Sequence, residues 1–374
     1  MGGSASSQAG QQESPPLRVG LVGCGAVARD VHLPALEGLD GVEVTGIADA
    51  DRERARALAE EFGVPFFADA SSLLKDGAPD VVHVLTRPES HAELATAALE
   101  AGCHVLVEKP FVYSSAEART VLELARSRSR RVSVVHNYLH HPSVALLRER
   151  VAEGDVGEVC SVHFMHGRRD QRYVPDPWYF QTRGGRLGET LPHALYLLTA
   201  FLPDLSVRWA EARKLGHVRV PEHSRALDPG ADELRVELSG PDGTHASVLY
   251  SLNATIAQSL IVTGTKATLQ AMLGQNEAVY RWSPGGPNSS ELLEMAQGWL
   301  VARLERRLRR RAAARSQRDT PHARQIRAFI ESLREGDDPP VTEADALRVV
   351  QLWEDAVSRY ADGAGGAGAA EAEA

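Results

Sequence analysis

Residues 17–28 read LRVGLVGCGAVA, and residues 42–49 read VEVTGIAD; these two stretches decide the fold. Leu17–Val22 is a short apolar run ended by a glycine, the pattern of a buried strand. Gly23 to Ala28 then follow the spacing G-x-G-x-x-A and open a segment, Ala26–Leu39, of helical composition that Pro34 should interrupt or kink. In such a strand–turn–helix unit the first glycine permits a tight turn and the second lets backbone approach an anion. The small third residue lets the helix pack close to the sheet. Amide groups at the helix start then face the anion. Asp49, at the end of the second strand, can accept both ribose hydroxyls of a dinucleotide and would repel a 2′-phosphate. The stretch therefore predicts NAD, with Gly23, Gly25, Ala26, Val27, Ala28 and Asp49 as its contacts. Arg52 keeps NADP as an alternative, since an arginine can accommodate the extra phosphate.

Outward from this unit, further strands at Val81–Leu85, His104–Val107 and Val132–His136 alternate with helices at Arg52–Phe62, Glu89–Ala101 and Ser114–Ser127. That alternation predicts a doubly wound parallel sheet, a Rossmann domain over residues 17–138, with ligands at the carboxyl ends of its strands. The rhythm then changes. A helix at Ser143–Glu153, a strand at Glu158–His166, a loop at Asp170–Gly188 and an apolar helix at Leu191–Leu202 precede strand-like runs between Val207 and Leu273. Helices at Glu291–Ala314, His322–Arg334 and Glu343–Tyr360 close the chain, the last opened by a capping box at Thr342 and Asp345. The expectation is a second α+β domain over residues 139–361 with a large mixed or antiparallel sheet. Small and polar residues at 1–16 and 362–374 predict disordered tails.

Composition narrows the class. A chain of 374 residues exceeds what one core usually serves. Its hydrophobic fraction of 43% and net charge of −9 fit a soluble protein not built to coat nucleic acid or an anionic membrane. Neither a signal peptide nor an apolar run of ~18 residues is present, which predicts no membrane span. Three scattered cysteines argue against disulfides and cysteine-ligated zinc, and for a reducing, cytoplasmic setting. His140-His141 and His163/His166 lack a completing carboxylate or cysteine, so no metal is expected. Eight arginines between Arg303 and Arg318 accompany Leu300, Leu304 and Leu308 at helical spacing, the pattern of a solvated helix face.

Candidate chemistry lies at the strand ends. Thr86 ends one strand and Glu108-Lys109-Pro110 the next. A lysine there can reach a substrate oxygen, and the glutamate can hold a ribose or the lysine; a surface ion pair is the plainer alternative. Glu189 and His193 are four apart and share a helix face, provided the helix starts near Gly188 with Pro192 in its first turn. His193 suits proton transfer from a carbinol, with Glu189 orienting the imidazole. Tyr173, Trp178 and Arg183, in a loop rich in arginines and aromatics, are candidate substrate contacts, because aromatics stack on sugar faces and arginines bind anions.

The order of these motifs resembles the Gfo/Idh/MocA family, the glucose–fructose oxidoreductases, inositol dehydrogenases and their relatives. Gly23–Ala28, Thr86–His91 and Glu108–Pro110 match its G-x-G-x-x-[GA], T-P-x-x-x-H and E-K-P signatures, with Arg87 standing where a proline is common. Residues 154–159, GDVGEV, and 184–193, GGRLGETLPH, resemble its second domain, with Glu189 for aspartate, Leu191 for glycine and Tyr196 for a later aspartate. The resemblance implies cofactor contacts from Thr86, Arg87, His91, Glu108, Lys109 and Asn137. It also implies hydride transfer on a secondary alcohol or ketone of a sugar, cyclic polyol or sugar derivative. NAD-assisted elimination or glycoside hydrolysis, and a non-catalytic dinucleotide-binding regulator, stand as alternatives. A strand-rich second domain with one open face further predicts a homodimer or homotetramer built through Val207–Leu273.

Overall fold

In the computed structural model the described residues are 15–167, 178–215, 231–273, 279–282 and 319–370. Leu17–Val22 (β1) sits inside a six-stranded sheet with Val42–Ala48 (β2), Phe66–Phe67 (β3), Val81–Val84 (β4), His104–Val107 (β5) and Val132–Val134 (β6). The order is β3-β2-β1-β4-β5-β6 and every pairing is parallel. Chain order reverses between β1 and β4, so the crossovers leave on opposite sides and a crevice opens at the strands' carboxyl ends.

The second sheet holds Val159–Gly167 (β7), Ser206–Arg213 (β8), Glu233–Ser239 (β9), His245–Ser251 (β10), Ile256–Gly264 (β11), Thr268–Met272 (β12) and Val279–Trp282 (β13), in the order β13-β12-β11-β7-β10-β9-β8. Only β7 and β10 run parallel, so the sheet is mixed. Its two faces differ in chemistry. Ala210, Val236, Val248, Phe164, Leu260 and Ala271 lie in one cross-strand row and belong to the second core. The helices Gly185–Thr199 and Glu343–Ala370 cover that row. The neighbouring row, Trp209, Glu237, Ser247, His163, Ile261, Gln270 and Tyr280, points the other way and joins no core among the described residues.

The last two helices return to the first domain. Pro321–Glu335 buries Ala323, Ile326, Phe329 and Ile330 against Val19, Leu21, Leu33 and Leu36. Gln325 Nε2 donates to Val134 O at 2.7 Å, and Ser133 Oγ to Val341 O at 3.1 Å. The helix Glu343–Ala370 places Ala346 and Val350 in the first domain and Val349, Leu352, Trp353 and Ala356 in the second. A boundary at residue 138 thus separates the sheets but not the helices. This last helix also runs past Asp362, where composition predicts a tail. The expected helix Glu291–Ala314, with its arginines to Arg318, lies outside the described residues.

Two local features depart from expectation. After Gly25 the chain forms a π-helical turn, Ala28–His32, before the α-helix Leu33–Glu37, and Pro34 sits at the start of the latter, where its missing N–H costs little. The helix expected near Gly188 begins earlier, at Gly185, because Gly184 takes the left-handed conformation (φ 79°) that opens it. Pro192 therefore lies in the helix interior, not its first turn. A proline there leaves the carbonyl four residues back without its helical donor. Trp353 Nε1 fills that role, donating to Gly188 O at 2.6 Å.

Candidate active site

The glycine turn is built for close approach. Gly23 has φ 104°, and a Cβ on it would stand 2.6 Å from Leu85 C, so only glycine fits. A Cβ on Gly25 would meet nothing within 4 Å. No protein atom therefore requires a bare backbone at Gly25, and the position opens on the cleft. Asp49 holds the turn from the next strand, accepting from Cys24 N at 2.7 Å and Asp51 N at 2.8 Å.

These residues line a cleft of about 1110 Å³ with Ala26, Val27, Thr86 and Arg87, and Trp178 also faces it. Arg87 stacks its guanidinium over the Trp178 ring at 5.7 Å. Ala28 does not line the cleft; it is 1% exposed and packs beneath the turn with Leu33 and Leu36. Arg52 is likewise absent from the lining. Of the three arginines there, Arg54 pairs with Asp51 at 3.1 Å and Arg29 with Glu61 at 3.1 Å, and Arg87 is the one over Trp178. Acidic side chains thus pair with two of the three arginines that line the cleft.

Glu108, Lys109 and Glu189 line the same cleft, where the two domains meet. Lys109 Nζ and Glu189 Oε1 form an ion pair with side chains only 15% and 10% exposed. Such burial separates this pair from the surface ion pairs that contribute little. Glu108 faces inward instead. His32 Nε2 lies 3.2 Å from one of its oxygens and Lys109 N donates to the other at 3.1 Å. His83 Nδ1 in turn lies 2.9 Å from His32 Nδ1. Burial would raise the Glu108 carboxyl, but the His32 bond and the nearby His322 and Lys109 charges hold it down at about 2. It is therefore a fixed anion that anchors the Lys109 loop.

His193 stands beside the cleft without lining it. Its ring stacks on Tyr138, centroids 4.4 Å apart, and its Nδ1 lies 2.7 Å from the Tyr196 hydroxyl. Burial, then the Lys109 charge, pushes its pKa well below the ordinary value, so it stands as a neutral base. Glu189 does not orient this imidazole, as the four-residue spacing suggested. Its carboxylate turns to the Lys109 ammonium, the stronger partner, and Tyr196 takes the orienting place.

Three other expected contacts have different partners. His91 is fully buried, with Nδ1 2.9 Å from Pro110 O and Nε2 3.0 Å from Thr86 O. It clips the two strand-end loops together and offers the cleft no ring nitrogen. Asn137 spends its amide on Tyr196 and His322, at 3.1 and 3.2 Å. Arg183 donates to Tyr113 O at 2.7 Å and lies 5.6 Å over Trp353, away from the cleft lining. Tyr173 lies outside the described residues. Sequence reading missed the supporting roles of His32, Tyr138, Tyr196 and His322. Of these only Tyr196 was signalled, by its three-residue spacing from His193 on one helix and by its place at a later aspartate of the resembled motif.

A family model described as the GFO/IDH/MocA oxidoreductase family, NAD-binding Rossmann fold, matches residues 17–136. The corresponding C-terminal domain model matches residues 144–270. The dTDP-3,4-didehydro-2,6-dideoxy-alpha-D-glucose 3-reductase of Streptomyces violaceoruber is 34% identical, the match covering 68% of this chain and 72% of the relative. The uncharacterised oxidoreductase YdgJ of Escherichia coli K12 is also 34% identical, over 44% of this chain, which spans about half of that relative (47%). Among solved structures, an Agrobacterium radiobacter oxidoreductase in complex with NAD+, L-tartaric acid and magnesium superposes with a TM-score of 0.75. At 20% identity over 93% of this chain and 97% of that one, this likeness speaks for the fold alone.

Proposed function

Because the chain belongs to the GFO/IDH/MocA oxidoreductase family, we propose that it transfers a hydride between a nicotinamide and a secondary alcohol or ketone of a sugar, cyclic polyol or sugar derivative. The observation that carries this reading is the buried Lys109–Glu189 pair closing a dinucleotide-sized cleft beside the neutral His193. NAD, when bound, supplies or accepts the hydride. Gly23, Gly25, Ala26 and Val27 would hold its pyrophosphate side and Asp49 its ribose. The carboxylates of Asp49, Asp51 and Glu61 favour NAD over NADP. Lys109, with its ammonium held by Glu189, polarises the substrate oxygen, and His193 takes or returns the hydroxyl proton.

The sugar assignment draws on the Streptomyces relative, whose name places its chemistry at a deoxysugar ketone, and on Trp178, an aromatic face in the cleft. The open row of the second sheet supports a homodimer or homotetramer as the working form, and three free cysteines support a reducing, cytoplasmic setting. Among the described residues no helix is long and apolar enough to cross a membrane. The test is a screen of polyols, sugars and nucleotide-sugars for NADH formation, run also in reverse on the matching ketones. Turnover on one of these classes is the expected result. Tight NADH binding with no turnover on any of them would refute the proposal and favour a regulator.

A further inference from the structure

We propose that Tyr196 is a positioning residue that holds His193 in the Nδ1–H form and thereby makes Nε2 the proton-accepting atom. The argument is a count of protons. A tyrosine hydroxyl has one proton to donate and two lone pairs to fill. Three groups surround it: Tyr138 N at 3.1 Å, Asn137 Oδ1 at 3.1 Å and His193 Nδ1 at 2.7 Å. Tyr138 N–H can only donate. Asn137 directs its amide nitrogen to His322 Nδ1 at 3.2 Å, which leaves its oxygen, an acceptor, toward Tyr196. The tyrosine proton therefore goes to Asn137, and both lone pairs accept, one from Tyr138 N–H and one from His193 Nδ1–H. A neutral imidazole carries a single proton, so Nε2 is left with the lone pair that a general base needs.

The surroundings agree with a neutral ring. Burial first, then Lys109 from the loop after β5, His322 on the helix Pro321–Glu335, His136 two residues past β6 and His166 on β7 all disfavour the imidazolium. Tyr138 stacks on the ring and Tyr196 holds its nitrogen. The carboxylate on its own helix, Glu189, is engaged by Lys109. Tyr196 is 2% exposed, and burial raises its hydroxyl well above the ordinary value, so it stays protonated and cannot become a counter-ion. A base seated this way keeps its lone pair into mildly acidic solution.

The first experiment is independent of any substrate. Nitrogen NMR of the 15N-histidine-labelled protein, compared with His193→Gln to find the His193 signals, reads the tautomer directly. The expected result is a protonated Nδ1 and a bare Nε2; a protonated Nε2 would overturn the proposal. The second experiment rests on the hydride-transfer reading. Tyr196→Phe should lower kcat by roughly tenfold with KM and NADH affinity within about twofold. Tyr196→Asp places an anion on the same nitrogen and should raise the acid-limb midpoint of kcat/KM by about one pH unit or more. An unshifted midpoint in Tyr196→Asp, with unchanged kcat in Tyr196→Phe, would also overturn it. Should no substrate be found, the tautomer measurement still decides the role of Tyr196.

Discussion

Replacing Lys109 with methionine separates the two jobs assigned to this residue. The side chain is nearly isosteric, so packing is kept while the ammonium is lost. Glu189, whose side chain is 10% exposed, is then left as a carboxylate without its partner. Breaking a buried pair from one side costs about 3–5 kcal/mol, and the residual exposure of this pair puts the cost near the lower end, about 3. At roughly 2 °C per kcal/mol for a chain this long, the melting temperature should fall by about 6 °C. Turnover should fall by a factor of ~10²–10³, the usual worth of one charge aimed at a developing alkoxide. Adding Glu189→Gln removes the stranded carboxylate. The double variant should regain most of the lost stability and none of the lost turnover. Thermal melts and initial rates of NADH formation, measured on the same four proteins, give the full cycle. A single variant that melts within a degree of wild type, or a double variant that recovers turnover, would refute the reasoning.

Five further outcomes are expected. Asp49→Ser should narrow the preference for NADH over NADPH in fluorescence titration, and tighter NADPH binding by the wild type would contradict the assignment. His193→Asn should cut turnover by roughly 10²–10⁴ with NADH affinity moved only a few-fold, whereas Gly25→Val, whose Cβ meets no protein atom, should melt normally and lose NADH binding. Stability should decline as the pH drops below about 6.5, because buried His136, held down to about 3, and His83 and His193, also lowered, take up protons on unfolding. His136 alone, 2% exposed, accounts for about 2 kcal/mol between pH 6.5 and 5, whereas the Glu108 contribution stays until the pH falls below about 4 toward 2; urea midpoints that stay flat from pH 7.5 to 5 would contradict this. Light scattering at micromolar concentration should give a dimer or tetramer mass, and Trp209→Glu on the open row should lower it.

What could be read from sequence was whatever local periodicity encodes. β1 ends at Val22, the helix Arg52–Phe62 stops at a left-handed Gly63, and Thr342 and Asp345 cap each other, each as the residue types dictate. The two-residue strand Phe66–Phe67 has too little length to show a period. At the site, residues tied to strand ends or to the glycine turn were legible, because topology alone brings Thr86, Asp49 and Lys109 to one crevice. Side-chain partners were not. Spacing placed Glu189 and His193 on one face, but it could not reveal that an ammonium from 80 residues earlier in the chain would take the carboxylate. Nor could it show that His91 would face three carbonyls and Asn137 a histidine from the penultimate helix. Long-range competition for hydrogen bonds decides such matters, and no local pattern carries it.

The return of the helix Pro321–Glu335 to the first sheet has a consequence for how the protein is made. As the nascent chain leaves the ribosome, β1 to β6 are synthesised long before Ala323, Ile326, Phe329 and Ile330, which cover Val19 and Leu21. At roughly 5–20 residues per second the delay between β6 and that helix is on the order of ten to forty seconds. Throughout it, the part of that sheet face covered by these four residues stays open, beside the part covered by Leu33, Leu36 and Leu58, and Val134 O lacks the Gln325 donor it later receives. The first domain is thus expected to expose apolar surface until that helix has been made, so a chain truncated before Pro321 should aggregate, and a soluble fragment of that length that still binds NADH would contradict this.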